Sequence, residues 1–329
     1  MPSTIRDVAR LAGVSIATVS RAMRDPSIVS DQTLRRVQTA ADELDYTPSQ
    51  LGRQLAERRH GANGIVFPDL SGPYYAEVVL GYEAVASELG RAVLIMATHG
   101  RSTAGEMITR LAGRCDGLVV LGRTVSDDVL LGLAERGVPL VTIARPAVTG
   151  VDSVSAENRS TAHALATHLA DSGAASVVFL GDPELSPDVA ERLAGLRSGA
   201  EESGIDVTVL SVGSMDEEGG ARAAEDLCQR SGPLPDAIAC ANDELALGLM
   251  TSLRARGVVV PRDVLVTGWD DIMAARYAEL TTARQPLHDL GATAARFLDD
   301  LIQGRRAEPR QVVLPTELIV RSSSSPRER

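Results

Sequence analysis

The chain has 329 residues, 44% of them hydrophobic and 23% charged, with 44 acidic against 33 basic side chains and a net charge of −11. That length exceeds one small core and calls for two or three domains of ordinary globular composition. Apolar runs of six to eight residues are too short to span a bilayer, residues 1–30 hold no basic segment followed by an apolar one, and three scattered cysteines (Cys115, Cys228, Cys240) make no disulfide framework, so a cytoplasmic protein without membrane contact is expected.

The charge is unevenly spread. Residues 1–59 hold nine arginines against seven acids, so the other 270 residues carry −13, and every basic residue is an arginine. Three helices fit in residues 4–45. Thr4 caps the first, with Asp7 in the capping-box position; Ile5, Val8, Ala9 and either Leu11 or Ala12 form its inward stripe, and Gly13 ends it. Ser15 caps a second helix with Val19, Ala22 and Met23 inward. Asp25-Pro26-Ser27 is turn chemistry. Ser30 caps the third, where Leu34, Val37, Ala41 and Leu44 recur at helical spacing. Two short helices joined through Gly13 make a helix-turn-helix. "YTPSQLGRQLAERRHGANG" follows: Pro48 stops the third helix or starts a short new one, Leu51 and Leu55 lie four apart, and Arg53, Arg58 and Arg59 surround them.

From residue 64 short β-rich runs alternate with helical stretches: "GIVFPD", "AVLIMA", "GLVVLG" and "PLVTIA", then "SVVFLG", "VTVLSV", "AIACAND" and "VLVTGWDD". Helices are expected at 75–89, 158–172, 188–203 and 243–256. Such alternation indicates parallel sheets covered on both faces, and four units followed by four more indicate two similar α/β subdomains. "VVLPTELIVR" reads as a last pair of strands, and the chain end as a disordered tail.

In a helix-turn-helix the second helix enters the major groove. Its exposed candidates are Ile16, Ala17, Ser20 and Arg21. Arg21 suits bidentate contact with a guanine, and the hydroxyls of Ser15, Thr18 and Ser20 suit phosphates, which position without reading sequence. "TIRDVARLAGVSIATVSRAM", "VSDQTLRRV" and "YTPSQLGRQLAERR" together resemble the DNA-binding headpiece and hinge of the LacI/GalR family of bacterial repressors. "GIVFPDLSGPYYAEVVLGYE", "ERLAGLRSG", "ACANDELALGLM", "VLVTGWDD" and "LTTARQPL" resemble its core in the same order, over nearly the whole chain.

The resemblance implies a three-helix headpiece (1–46) and a hinge helix (47–60). It implies a periplasmic-binding-protein-like core of two parallel-sheet subdomains, 61–156 with 288–314 and 157–287 with 315–322, leaving 323–329 as the tail. It implies a homodimer on double-stranded DNA with a near-palindromic operator, each headpiece contacting DNA through Thr4, Ser15, Ile16, Ala17, Thr18, Ser20 and Arg21. In the hinge, Leu55 would enter the minor groove and Arg53 would lie beside the DNA backbone or in the minor groove. Gly52 departs from the family's usual alanine and costs about 1 kcal/mol of helix propensity. A small-molecule effector, a sugar or related metabolite, would be held by Tyr74, Tyr75, Arg192, Asn242 and Asp270, with Gln285 at the cleft edge. Ala144, where many sugar-binding members have an aspartate, and Met215, where several have an aromatic ring, are departures. Asp271 also reads as a helix cap, Asp243 as a helix-start charge and Trp269 as core.

Enzyme readings find little support. There is no G-x-x-x-x-G-K-S/T loop, no G-x-G-x-x-G after the first strand and no G-x-S-x-G. His163 and His168, five apart, lie about 140° apart around a helix and make no metal pair. No catalytic residue, metal or cofactor is expected. The rival readings are a cytoplasmic sugar-binding module and a helix-turn-helix sugar kinase.

Overall fold

The computed structural model describes residues 3–47, 59–306 and 308–325. The chain divides into two compact units, Met1–His60 and Gly61–Arg329.

In the first unit the three helices are α1 (Ile5–Ala12), α2 (Ile16–Arg24) and α3 (Asp31–Glu43). The Asp7 carboxylate accepts from the Thr4 hydroxyl (2.7 Å) and backbone N–H (3.1 Å), and these bonds hold its pKa below the ordinary carboxylate value. Ser15 and Ser30 accept the Thr18 and Thr33 N–H groups at 3.1 and 3.3 Å. Gly13, at φ 61°, ends α1, and Arg36 Nη2 donates to the carbonyls of Ala12 (2.5 Å) and Gly13 (3.1 Å) at that end. Val8, Ala12, Val19, Ala22, Val37 and Ala41 belong to a small core. Ala12 turns inward while Leu11 stays 50% exposed, which settles α1's stripe. α3 ends at Glu43, with Asp45 at φ 47°, so it stops before Pro48. Pro48, Leu51, Gly52, Arg53 and Leu55 lie outside the described residues, and with them the expected hinge helix.

In the second unit the elements run β1 (Ala62–Phe67), α4 (Pro73–Glu88), β2 (Ala92–Ala97), α5 (Ala104–Ala112), β3 (Leu118–Leu121), α6 (Asp127–Glu135), β4 (Leu140–Ile143) and β5 (Asp152–Ala156). They continue as α7 (Arg159–Asp171), β6 (Ser176–Leu180), α8 (Pro187–Ser203), β7 (Asp206–Leu210), α9 (Glu217–Gln229), β8 (Ala237–Cys240), α10 (Asp243–Ala255) and β9 (Leu265–Asp270). Last come α11 (Met273–Tyr277), β10 (Thr281–Arg284), α12 (Leu287–Ile302), β11 (Gln311–Leu314) and β12 (Glu317–Ile319). One six-stranded sheet has the order β11-β5-β4-β3-β1-β2, parallel throughout. The other is β12-β10-β9-β8-β6-β7, parallel but for β12 against β10. The chain passes between the sheets three times, after Ala156, Arg284 and Leu314. At two of these passages Glu157 N–H donates to the Leu314 carbonyl (2.8 Å) and the Thr316 hydroxyl to the Glu157 carbonyl (3.0 Å).

All eight apolar runs and the last pair become strands. β5 ("DSVSA") and β10 ("TTAR") were not expected, because their backbone pairing is supported by Ser and Thr rather than by an apolar run. The expected disorder of 323–329 is corrected at its start. Ser323 and Ser324 are buried: Ser323 Oγ donates to the Val266 carbonyl and accepts the Thr281 N–H, and Ser324 Oγ meets Thr281 Oγ1 and His168 Nε2. Each polar group that composition marks as solvated has a partner inside. Residues 326–329 lie outside the described residues. No helix among the described residues is long and apolar enough to cross a membrane.

Candidate functional site

A parallel sheet whose strand order reverses leaves a crevice beyond the carboxyl ends of the strands at the reversal. Both sheets have one. In the first, chain order reverses between β1 and β3, and in the second between β6 and β8. The two crevices open on one cleft of about 580 Å³. From the first sheet come the segment after β1 (Pro68, Asp69, Ser71, Tyr74, Tyr75), the end of β3 (Leu121, Gly122, Arg123) and Ala144 after β4. The second contributes Leu185 and Ser186 ahead of α8, Pro187, Asp188, Val189 and Arg192 in its first turns, Met215 and Asp216 before α9, Asn242 and Glu244 after β8, and Asp270 ending β9. The backbone is left-handed at Ala144 (φ 54°), and Asp270 sits at φ 115°. Both are non-glycine residues in sparsely populated regions, a strain of about 1–3 kcal/mol each that recurs where side chains are aimed at ligands.

Five of the six expected effector residues line this cleft: Tyr74, Tyr75, Arg192, Asn242 and Asp270. Gln285 does not; it is buried behind the cleft and donates Nε2 to Asp270 Oδ1 at 2.5 Å, which joins the cleft wall to the second inter-sheet passage. Arg192 is held from three sides: Nε donates to Asn158 Oδ1 (2.9 Å), Nη1 to the Ala241 carbonyl (2.7 Å), and the guanidinium lies 4.8 Å from the Trp269 ring centroid. Trp269 is therefore both core and support for a cleft residue. Asn242 donates to the Met215 carbonyl (2.7 Å) and caps α10 through Leu245 N–H (3.0 Å), so most of its amide holds the cleft's own frame. Tyr74 and Tyr75 pack edge to face at 5.2 Å.

Asp243 opens α10, as its helix-start reading expects, whereas Asp271 caps no helix: Ile272 is the cap of α11. Asp271 sits between Arg284 (2.7 Å) and Arg321 (2.5 Å), and Asp243 accepts from Thr282 Oγ1 (2.6 Å) and Ile272 N–H (2.9 Å). Arg145, beside Ala144, turns away to the carbonyls of Gly122 and Val125 and to Asp127.

Asp188 and Glu244 were missed. Both stand in the first turn of a helix, where an acid reads simply as a complement to the helix dipole. Burial raises the Asp188 pKa. Burial, with repulsion from Asp270, Glu217 and Asp216, pushes Glu244 up to about 7. Burial pushes Asp270 up to about 6, although Arg192 and Gln285 draw it down. Among the described residues no group of His, Cys, Asp and Glu is arranged to hold a metal ion.

On the first unit, Ser15, Ile16, Ala17 and Arg21 are exposed and Thr18 and Ser20 partly so. Ile16, Ala17, Ser20 and Arg21 share one face of α2 by helical spacing. Ile16, a large apolar residue at a helix start, is 45% exposed. Thr4 is exposed, its hydroxyl directed to Asp7, and Arg53 and Leu55 lie outside the described residues.

Residues 4–49 match the family model described as bacterial regulatory proteins, lacI family, and residues 166–324 match a periplasmic binding protein-like domain. The chain is 32% identical over 337 residues to the HTH-type transcriptional regulator DegA of Bacillus subtilis, covering 99% of each chain. Among solved structures it is similar to the lac repressor dimer bound to operator and the anti-inducer ONPF (TM-score 0.85, 27% identity, 99% of this chain and 100% of that one). It is also similar to the regulator CelR in complex with cellobiose (TM-score 0.73, 31% identity, 98% and 99%).

Proposed function

The chain belongs to the LacI family of bacterial regulatory proteins, whose members are DNA-binding transcriptional regulators and not enzymes, and from that premise we propose that it represses transcription as a cytoplasmic homodimer controlled by a small polyhydroxylated effector. Two headpieces related by a twofold axis read the two halves of a near-palindromic operator. In each, Ile16, Ala17 and Arg21 face bases, while Thr4, Ser15, Thr18 and Ser20 face phosphates. The core divides as 61–156 with 288–314 and 157–287 with 315–322. Residues 47–60, with Arg53 and Leu55, act as the hinge on DNA.

The observation that carries this reading is the opposition of two switch-point crevices over one cleft. A ligand touching Tyr74 and Tyr75 from one side and Arg192, Asn242 and Asp270 from the other binds best at one closure of the two sheets, and differential affinity of this kind shifts a conformational population. Gln285 supports Asp270 rather than touching the effector, because its amide is bonded to that carboxylate.

Selection of bound duplexes from a random pool tests the proposal. Enrichment of a sequence with two inverted half-sites is expected. Recovery of an unpaired half-site or of no preferred sequence overturns the operator reading.

A further inference from the structure

The cleft is unbalanced in charge. Five carboxylates line it, on Asp69, Asp188, Asp216, Glu244 and Asp270, against the two guanidiniums of Arg123 and Arg192. Two of the five have local duties: Asp69 accepts the N–H groups of Leu70 (2.5 Å) and Ser71 (2.9 Å), and Asp216 caps α9 through Gly219 N–H (2.8 Å). Asp188, Glu244 and Asp270 have no ion-pair partner within 4.0 Å among the described residues; Arg192, bonded to the neutral Asn158 side chain, the Ala241 carbonyl and the Trp269 ring, still draws on Asp188 and Asp270 by its charge, but one guanidinium offsets at most one of the three carboxylates.

The position of Glu244 adds direction. It projects from α10 of one sheet toward the loop ahead of α4 on the other: a Cβ built on Gly72 would lie 2.7 Å from Glu244 Oε1. Its carboxylate therefore sits near the edge-to-face pair Tyr74 and Tyr75. Carboxylates beside half-buried aromatic rings that line a cleft form an environment that attracts a cation by both charge and ring quadrupole.

We propose that the effector carries a protonated amine among its hydroxyls, as in an amino sugar or an amine-bearing polyol, with the ammonium between Glu244, Asp188 and Asp270 and the Tyr74–Tyr75 pair. This rests on the reading of the cleft as the effector site. A neutral polyol fills the carboxylate lone pairs but leaves their mutual repulsion in place, and an anion adds to it. A cation removes the repulsion, and because Glu244 reaches across the cleft it is held from both sheets, favouring closure. The raised pKa values of these acids have the same leading cause, burial, which the charge of Arg192 offsets only in part at Asp188 and Asp270 and which repulsion from neighbouring acids reinforces at Glu244.

Calorimetry on the full chain, near neutral pH, with matched sets tests this: a parent mono- or disaccharide, its primary-amine analogue and the N-acetylated form, as in D-glucose, D-glucosamine and N-acetyl-D-glucosamine. Within at least one set the amine should bind about tenfold tighter than both neutral forms. Glu244→Gln, and separately Asp188→Asn, should bring that ratio toward one. Neutral members binding as tightly as amines overturns the proposal and leaves the effector reading standing. An amine preference kept in both variants overturns the assigned seat. Silence of charged and neutral members alike counts against both the proposal and the effector reading.

Discussion

At the scale of single residues, the two ends of the chain's activity rest on different physics. Arg21 stands exposed on α2 beside Ile16, Ala17 and Ser20, free to form the paired contact a guanine edge offers. Arg21→Ala should forfeit about 1–3 kcal/mol of discrimination at one base pair in each half-site. Affinities across single-base operator variants read this directly, and an unchanged ranking removes Arg21 from base recognition. In the core, Asp188, Glu244 and Asp270 all have raised pKa values, Glu244 reaching about 7 and Asp270 about 6 from ordinary values of 4.5 and 3.8. Between those limits the unfolded chain has released protons that the folded chain retains. Ligand-free stability is therefore greatest on the acid side and is lost as pH rises through the folded values. Melting temperatures should fall between about pH 5 and pH 8, and fall less in Glu244→Gln. Parallel pH slopes for the two proteins contradict this.

At the scale of elements, the second sheet's helices approach through glycine. A Cβ on Gly248 of α10 would overlap the Glu217 carbonyl at the start of α9, and one on Gly220 of α9 would overlap the Leu245 carbonyl of α10. Gly248→Ala should destabilise the core by about 1–3 kcal/mol, seen as a lower urea midpoint with an unchanged slope; an unchanged midpoint shows that the helices separate freely. Elements marked by caps or apolar runs were legible from sequence, such as α2 behind Ser15, α3 behind Ser30 and β3 as "LVVL". β5 and β10 were not, since Ser and Thr at their positions carry no apolar signal. Nor was Ser322–Ser324, whose hydroxyls find partners only once Val266, Thr281 and His168 are folded beside them. Among site residues, Tyr74, Tyr75, Arg192, Asn242 and Asp270 were reached through a family resemblance. Glu244 and Asp188 were hidden because their significance lies in which groups surround them, a property of the assembled cleft rather than of any local pattern.

At the scale of the whole molecule, a slightly basic headpiece segment is joined to a core of strongly negative charge. That distribution is expected to confine phosphate contact to the headpieces, with counterion release making affinity fall steeply with salt. We propose that occupancy of the cleft controls the grip on DNA. A complete switch, from 1:99 to 99:1, requires about 5.5 kcal/mol of differential ligand affinity between the two states. The direct measurement is the equilibrium affinity of the full chain for its selected duplex, at fixed salt, with and without a saturating ligand shown by calorimetry to bind the cleft. A change of about tenfold or more is expected; identical affinities in the two conditions rule out control of DNA binding by the cleft.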